Sequence, residues 1–391
     1  MQSQYTEQIA SRCKKLRDDL SITIQDLLDG SLAQEQGVNF NLAAASPVPL
    51  TTVASLAKAL AAPHRTYQRG IDSTTIALDA ELRNFENWFC STYLGNEGGA
   101  YVYGSSATHV LRAMAKTLSD RYDQIAFGSP DHKSLNNLGE IFGTQNTKHL
   151  SYNHNGFYQD ASINDLASSS FVVYNLLHGM FGTLQDETIR RTHPDQFIVL
   201  DISQALATCD PSLIRLAINR VQADAVIWGT GKFYSPLHTG VLWVRDKLLL
   251  KDLSTTNPEL LASKSSTQIH QLLSIKKFAE SIDWVQWHTL VHELTRYFLY
   301  QVSSLDNIEI VGCSSWLNNT SRHGIVSISA NNMSSVELGQ LLANKSIYTR
   351  ADGSCISSDK GAYDHVRFSF SPITTIKDID KAVLAIREIT A

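Results

Sequence analysis

The sequence predicts an α/β fold: a large domain built on a mostly parallel sheet, followed by a smaller α+β domain. Three observations carry that expectation. Through the middle of the chain, short and almost wholly apolar runs (QIAFG, SFVVYNLL, QFIVLD, DAVIWG) alternate with helical patterns, as strands buried on both faces and joined by crossover helices do. Beyond about residue 285 the alternation loosens into a long helix, short strands and a final helix. A chain of 391 residues is also too long for one small core.

Taken in order, residues 4–30 read as one helix, with Ile9, Leu16, Leu20, Ile24 and Leu28 at helical spacing and Gly30 as its stop. VNFNLAAASPVPL reads as a short strand running into a turn, and helices are expected over 50–62 and 75–93. AYVYG and QIAFG are strands preceding the helices HVLRAMAKTLSD and HKSLNNLGEIF. SFVVYNLL, QFIVLD, DAVIWG and GVLWVRD complete the strand series. WVQWHTLVHELTRYFLYQV is then a long helix, GIVSISA and HVRFSFS are strands, and IKDIDKAVLAIREI is the last helix. The expected division is residues 1–45 as an N-terminal helix and opening segment packed on the small domain, 46–285 as the large domain, and 286–391 as the small one. No Pro/Gly linker separates them, so they are expected to pack tightly.

A net charge of −5 without a basic run offers nothing to nucleic acid or to an anionic membrane. Cys13, Cys90, Cys209, Cys313 and Cys355 are scattered, with no CxxC pair and no metal-ligand spacing, so no metal is expected and reduced thiols fit the cytoplasm. The polar start MQSQYTEQIASRCKKLRDDL does not suit a signal peptide, and no apolar stretch reaches the roughly 18–20 residues of a membrane span. The expected location is cytoplasmic.

Ligands of open α/β sheets sit beyond the carboxyl ends of the strands, so the residues there carry the chemistry. After AYVYG come Ser106, Ala107 and Thr108, opening a helix. Small hydroxyl residues at a helix start suit an anion, and equally suit an ordinary capping turn. The segment has neither GxGxxG nor a P-loop lysine, which favours a single phosphate over a dinucleotide or nucleoside triphosphate. After QIAFG come Asp131, His132 and Lys133, where the histidine is either functional or a satisfied cap. Asp201 closes the buried run QFIVLD, with Gln204 three residues on. A carboxylate there demands a cation or hydrogen-bond donors. Lys232 follows Gly229, Thr230 and Gly231. It is either a surface lysine or a partly desolvated amine available for imine chemistry.

One ligand needs all four features. Pyridoxal 5'-phosphate requires a lysine imine, a carboxylate at its ring nitrogen, a phosphate site at a helix start and a flat group over the ring. Lys232, Asp201, Ser106 with Thr108, and His132 supply these, in a workable order along the chain.

With these residues in hand, the sequence resembles the class V aminotransferase family, which includes cysteine desulfurases, selenocysteine lyases, kynureninases and isopenicillin N epimerase. The similarity runs from about residue 38 to the end. FNLAAASPVP resembles the family's opening turn, His64-Arg65 its following segment, Ser106-Ala107-Thr108 the phosphate loop, and Asp131-His132-Lys133 the segment whose histidine stacks on the ring. TKHLSYNHNG resembles the linker strand, Asp201 to Gln204 the D-x-x-Q motif, GTGKFYSPLHTGVLWVRD the lysine loop and exit strand, and VRFSFSPITTIKDID the final strand and helix.

The resemblance implies fold type I with a seven-stranded sheet and a homodimer sharing its active sites. It implies Gln204 on the cofactor's ring oxygen, Thr230 on the cofactor, Ala44 and His178 at the substrate, and Arg367 clamping the substrate carboxylate. Thr267, in Ser266-Thr267-Gln268, stands where a neighbouring subunit adds a phosphate contact. Three departures are Gly231, where the family has histidine before the lysine, His178 or Gly179, where it has asparagine, and a slightly longer span from Asp201 to Lys232.

Cys355, in IYTRADGSC, stands close to the persulfide-forming cysteine of the desulfurases, with Arg350 nearby to lower its pKa. The best reading is therefore a cysteine desulfurase or C–S lyase acting on an amino acid. Aminotransfer, epimerisation, β-elimination or decarboxylation of a non-standard amino acid are the alternatives within the family. From other classes, a catalytically silent scaffold is opposed by Lys232, Asp201 and Arg367, and an NAD dehydrogenase by the missing GxGxxG.

Overall fold

The computed structural model describes residues 2–30, 37–61, 73–95, 98–261, 265–316, 321–351 and 364–391. The first expected helix is two, Gln2–Asp19 and Ser21–Gly30, interrupted at the buried Leu20. The cause is a change of partner. The first half lies along the helix Trp284–Val302, where Arg12 meets Glu293 at 2.7 Å. Arg17 reaches the carbonyl of Thr374 at 2.9 Å. The second half turns onto the helix Leu50–Ala61, and Asp26 accepts from Thr51 N and Oγ1 at 3.0 and 2.6 Å.

Strand β1 (Val38–Asn39) comes next, and the helix Ser73–Phe89 runs on through one π-turn, Cys90–Leu94, closed by Gly95 at φ 73°. Then follow β2 (Ala100–Gly104), β3 (Gln124–Gly128), β4 (Thr147–Leu150), β5 (Ser170–Asn175), β6 (Phe197–Asp201), β7 (Ala225–Gly229) and β8 (Gly240–Val244). They form one seven-stranded sheet in the order β2-β8-β7-β6-β5-β3-β4. β8 is antiparallel to both its neighbours, β2 and β7, and the remaining pairs are parallel.

The apolar runs explain this sheet. Side chains alternate between its faces, and both faces are covered. Val172, Tyr174, Ile198, Leu200, Val226 and Trp228 enter one core, while Phe171, Val173, Val199, Ala225 and Ile227 enter the other. A strand with a polar face could not occupy the centre.

The smaller C-terminal unit carries β9 (Ile308–Val311), β10 (Ile325–Ala330), β11 (Ile347–Tyr348) and β12 (Val366–Ser369). β12, β10 and β9 form an antiparallel sheet, and β11 pairs in parallel with β1. The opening segment is thus stitched to this unit: Ser369 N donates to Phe40 O at 2.7 Å and Ala43 N to Ser369 Oγ at 2.9 Å. This unit meets the segment that follows β5, where Ser327 Oγ donates to Met180 O at 2.8 Å and His323 N to Gly182 O at 2.7 Å. Among the described residues, no helix is long and apolar enough to cross a membrane.

Candidate active site

The order of strands across the sheet sets the order of the chemistry. β2 leads to Ser106–Thr108, β7 to Lys232, β6 ends on Asp201, and β3 leads to Asp131 and His132. All line one cavity of about 240 Å³, which also takes in Ala44, His178, Gln204 and Arg367. Of the described residues expected at the site, all but Thr230 and Thr267 therefore converge here from segments far apart in the chain.

At the β2 end, Ser106 caps the helix Ala107–Leu118 by accepting from His109 N at 3.1 Å. The first-turn N–H groups beyond it have no intrahelical acceptor, so with the helix dipole they suit an anion. Lys232 ends a single turn of 3₁₀ helix, Thr230–Lys232. That turn is tied to the opening segment, because Ser46 N donates to Gly231 O at 3.2 Å and Tyr234 N to Ser46 Oγ at 2.6 Å. Tyr234 has φ 58°, a left-handed conformation costing a bulky residue roughly 1–2 kcal/mol. Its hydroxyl offsets this by donating to Ala207 O and accepting from Trp287 Nε1 at 3.0 Å.

Asp201 accepts from Ser203 N at 2.8 Å, which orients its carboxylate at the strand end. Gln204 Nε2 donates to Ala43 O at 3.2 Å, placing Ala44 against the cavity. His132 is held by Ser134, whose Oγ lies 2.8 Å from Nδ1. Its ring faces the cavity, open to solvent on that side while the cavity walls crowd it. Burial first, then the Lys232 ammonium, lower its pKa to about 4 against the opposing pull of Asp201 and Asp131. At neutral pH it is an uncharged flat ring.

Two of the expected residues stand apart from the rest. Thr230 is fully buried, and its hydroxyl donates to Leu237 O at 2.8 Å while accepting from Thr239 N at 2.8 Å. It braces the lysine loop and does not line the cavity. His178 does line the cavity, but its nitrogens are engaged by protein. Nδ1 accepts from Met180 N and Phe181 N at 3.1 Å each, and Nε2 lies 2.7 Å from Pro130 O and 3.2 Å from Asp131 Oδ1. Two amide donors on Nδ1 place the proton on Nε2. His178 shapes the wall and leaves no free nitrogen for substrate.

Thr267 lies in the first turn of the helix Ser266–Glu280, outside the described lining of this cavity. Cys355 and His64-Arg65 lie outside the described residues. Arg367 lines the cavity and donates to Gly179 O at 3.0 Å. Arg350 lines it too, joined to Arg367 by backbone hydrogen bonds of 3.2 and 2.7 Å. Sequence reasoning missed His238, His365 and Ser134 in the lining. For His238 a signal existed, since it stands in the HTG that mirrors GTGK across the β7–β8 turn.

The described cysteines stand apart from this chemistry, and none of them lines the cavity. Burial pushes Cys13 and Cys209 up to about 12, Glu293 adding to the effect on Cys13. A thiol reagent at neutral pH is expected to spare both in the folded protein and to modify them only on unfolding, as peptide mapping after alkylation would show. Alkylation of Cys209 as fast as a free thiol would contradict its packing. Cys209, His288 and His323 also offer ligand atoms within 4.8 Å of one another. The two imidazoles, however, stack at 4.2 Å with 12° between their planes. Their in-plane lone pairs therefore run side by side and do not meet on one ion.

The cavity fits pyridoxal phosphate by the chemistry of its donors and by the space left open. An anion site, a lysine, a carboxylate and a neutral flat ring follow one another across one sheet edge. Two lining glycines keep the floor clear: a Cβ at Gly229 would stand 3.6 Å from Ala107 Cβ, and one at Gly179 would stand 3.5 Å from Gln204 Nε2.

Comparison with known proteins agrees. The class-V aminotransferase family matches residues 38–382. No curated protein matches in sequence. Among solved structures, the apo cysteine desulfurase from Thermococcus onnurineus NA1 is similar at TM-score 0.77 and 14% identity, covering 94% of this chain and 98% of that one. The Escherichia coli cysteine desulfurase CsdA is similar at TM-score 0.74 and 16% identity, covering 92% and 96%. C-DES, in a structure with glycine covalently linked to the PLP cofactor, is similar at TM-score 0.69 and 10% identity, covering 92% and 98%. At such identities these likenesses show the fold alone, whereas the family match spans nearly the whole chain. The chain belongs to the class-V aminotransferase family and is a pyridoxal-phosphate-dependent enzyme.

Proposed function

We propose that this enzyme is a cysteine desulfurase or a close C–S lyase, taking sulfur from a cysteine-like amino acid and releasing alanine. The observation that carries the reading is the position of Arg350 and His365. They flank Cys355 in the sequence, and both line the cavity beside Arg367. The likeness to cysteine desulfurases supports it.

When bound, pyridoxal phosphate supplies an electron sink conjugated to the substrate's α-carbon. The residues of the chain do the rest. Ser106, Ala107 and Thr108 bind the phosphate. Asp201 holds the proton on the ring nitrogen, and Gln204 donates to the ring oxygen. His132, neutral, covers the ring without competing for its charge. Lys232 carries the cofactor and moves the proton at the α-carbon. Arg367 grips the substrate carboxylate with its planar fork. Cys355 attacks the substrate's sulfur, so that the C–S bond breaks as an S–S bond forms: a thiol and cysteine become a persulfide and alanine. The Arg350 guanidinium favours the thiolate form. The same reading has the enzyme act as a cytoplasmic homodimer, with Thr267 serving the neighbouring copy's phosphate site.

The test is to supply cysteine with a reducing thiol and measure alanine and sulfide. Equal amounts are expected, with a loss on the order of tenfold or more in Cys355→Ala. A Cys355→Ala variant as active as the parent would overturn the desulfurase assignment. Turnover of another amino acid without sulfide would place the enzyme among the family's aminotransferases, epimerases or other lyases.

A further inference from the structure

The lysine loop has a histidine that the reaction above does not use. β7 and β8 pair with Gly229 opposite Gly240, and the ladder continues beyond them. Thr230 N donates to Thr239 O at 2.9 Å, and Thr239 N donates to Thr230 Oγ1 at 2.8 Å. Gly231 and His238 therefore face each other at the next rung. Thr230–Lys232 then turn as 3₁₀ helix, but Gly229, Gly231 and His238 line the cavity, with Gly240 opposite Gly229 in the ladder, while Thr230 is turned to Gln271. Three of these four are glycines, and His238 is the exception.

The spaces around those glycines say why. A Cβ on Gly240 would stand 2.0 Å from Ser106 O and 2.6 Å from Ala107 N. This face is therefore pressed against the start of the helix Ala107–Leu118, the anion end of the site. A Cβ on Gly231 would stand 2.4 Å from both Nδ1 and Cε1 of His238. The imidazole occupies the volume that any side chain at 231 would need, and it lines the cavity with Lys232, Ser106 and Thr108.

The turn that presents it is firmly braced. Gln271, fully buried, places Nε2 within 2.7 Å of Thr230 Oγ1, 2.8 Å of Ser235 Oγ and 2.8 Å of Leu237 O, and its Oε1 accepts from Thr239 Oγ1 at 3.1 Å. Three of those four partners flank His238 in the chain. A buried amide committed to one exposed turn is understandable if the turn must hold His238 in one place.

We propose that His238 is a phosphate-positioning residue, its ring N–H donating to the cofactor's phosphate from across the loop, in the space left by Gly231. The proposal rests on the pyridoxal-phosphate reading of the site and adds to it a residue on the far side of the lysine loop. Gly231 and His238 then form one unit: the histidine has moved to the facing rung, and the glycine makes room for it.

The test compares pyridoxal phosphate with pyridoxal, which has the aldehyde but no phosphate. Both are titrated into cofactor-stripped parent enzyme and into His238→Ala, with dissociation constants read from the absorption of the bound chromophore. A lost hydrogen bond to a charged group is expected to weaken pyridoxal phosphate about tenfold and to leave pyridoxal unchanged. The double exchange Gly231→His with His238→Gly should recover most of the loss, because it returns an imidazole to the same volume. Equal weakening of both compounds, or of neither, would overturn the phosphate role while leaving the cofactor assignment intact. A parent enzyme that binds neither compound would instead remove the reading on which the proposal rests.

Discussion

Replacing Lys232 by alanine is expected to remove the amino-acid-sensitive yellow absorption of the enzyme with pyridoxal phosphate. Turnover should fall by about 10²–10⁴-fold, the range for a positioned proton-transfer group. The geometry allows a clean measurement. The lysine ends a 3₁₀ turn whose place is held by Ser46, Thr230 and Gln271, none of which depends on the amine for the bonds described. The variant should therefore fold, and its thermal midpoint should match that of the parent without cofactor. A variant that stays yellow and turns over at the parent's rate would show that Lys232 does not carry the cofactor, and the assignments built on it would fail together.

The largest effect on stability is expected at Arg322. This guanidinium is almost wholly buried, and it donates to Ile325 O at 3.2 Å, Cys313 O at 2.5 Å and Val311 O at 2.9 Å. Burial lowers its pKa to about 10, so it remains charged at neutral pH. Its neighbours tie the C-terminal unit to the cavity wall, with Leu184 N donating to Ser321 O at 2.6 Å and His323 N to Gly182 O at 2.7 Å. Arg322→Ala leaves buried carbonyls without their donor and opens a cavity, at a cost of about 3–5 kcal/mol. Urea unfolding should show an earlier midpoint with an unchanged slope. Arg322→Lys should recover little, because one ammonium cannot reach three carbonyls set in a fork. A midpoint within error of the parent's would mean that solvent replaces the guanidinium and that the core there is looser than its packing indicates.

Much of the fold was legible because burial on both faces leaves a strong trace. A strand such as FVVY, apolar at every position, has few alternatives to the interior of a covered sheet. Elements that bury a single stripe were harder to read. The helix Pro211–Val221, capped by Asp210 accepting from Ser212 N at 2.7 Å, and the helix Ser335–Asn344 leave no comparable trace in the sequence. The break at Leu20 was invisible to periodicity, since the spacing of apolar residues continues through it and only the docking partner changes.

The same division holds at the site. Residue types at strand ends identified the cofactor and the places of Lys232, Asp201, His132, Ser106 and Arg367 along the chain, because a buried carboxylate, a desolvated amine and a helix start each have an energetic requirement that type and local context express. The sequence by itself determined that requirement and the α/β architecture that meets it. The tertiary structure alone decided which side chains face the cavity. Thr230 and Lys232 stand two residues apart, yet one is turned inward to Gln271 and the other lines the site. His178 has both nitrogens engaged by backbone and Asp131 neighbours that no sequence pattern ties to it. His238 reaches the site only because β7 and β8 pair with Gly229 opposite Gly240. Side-chain direction and hydrogen-bond occupancy follow from pairing register and from contacts between distant segments, and the order of residues along the chain does not contain them.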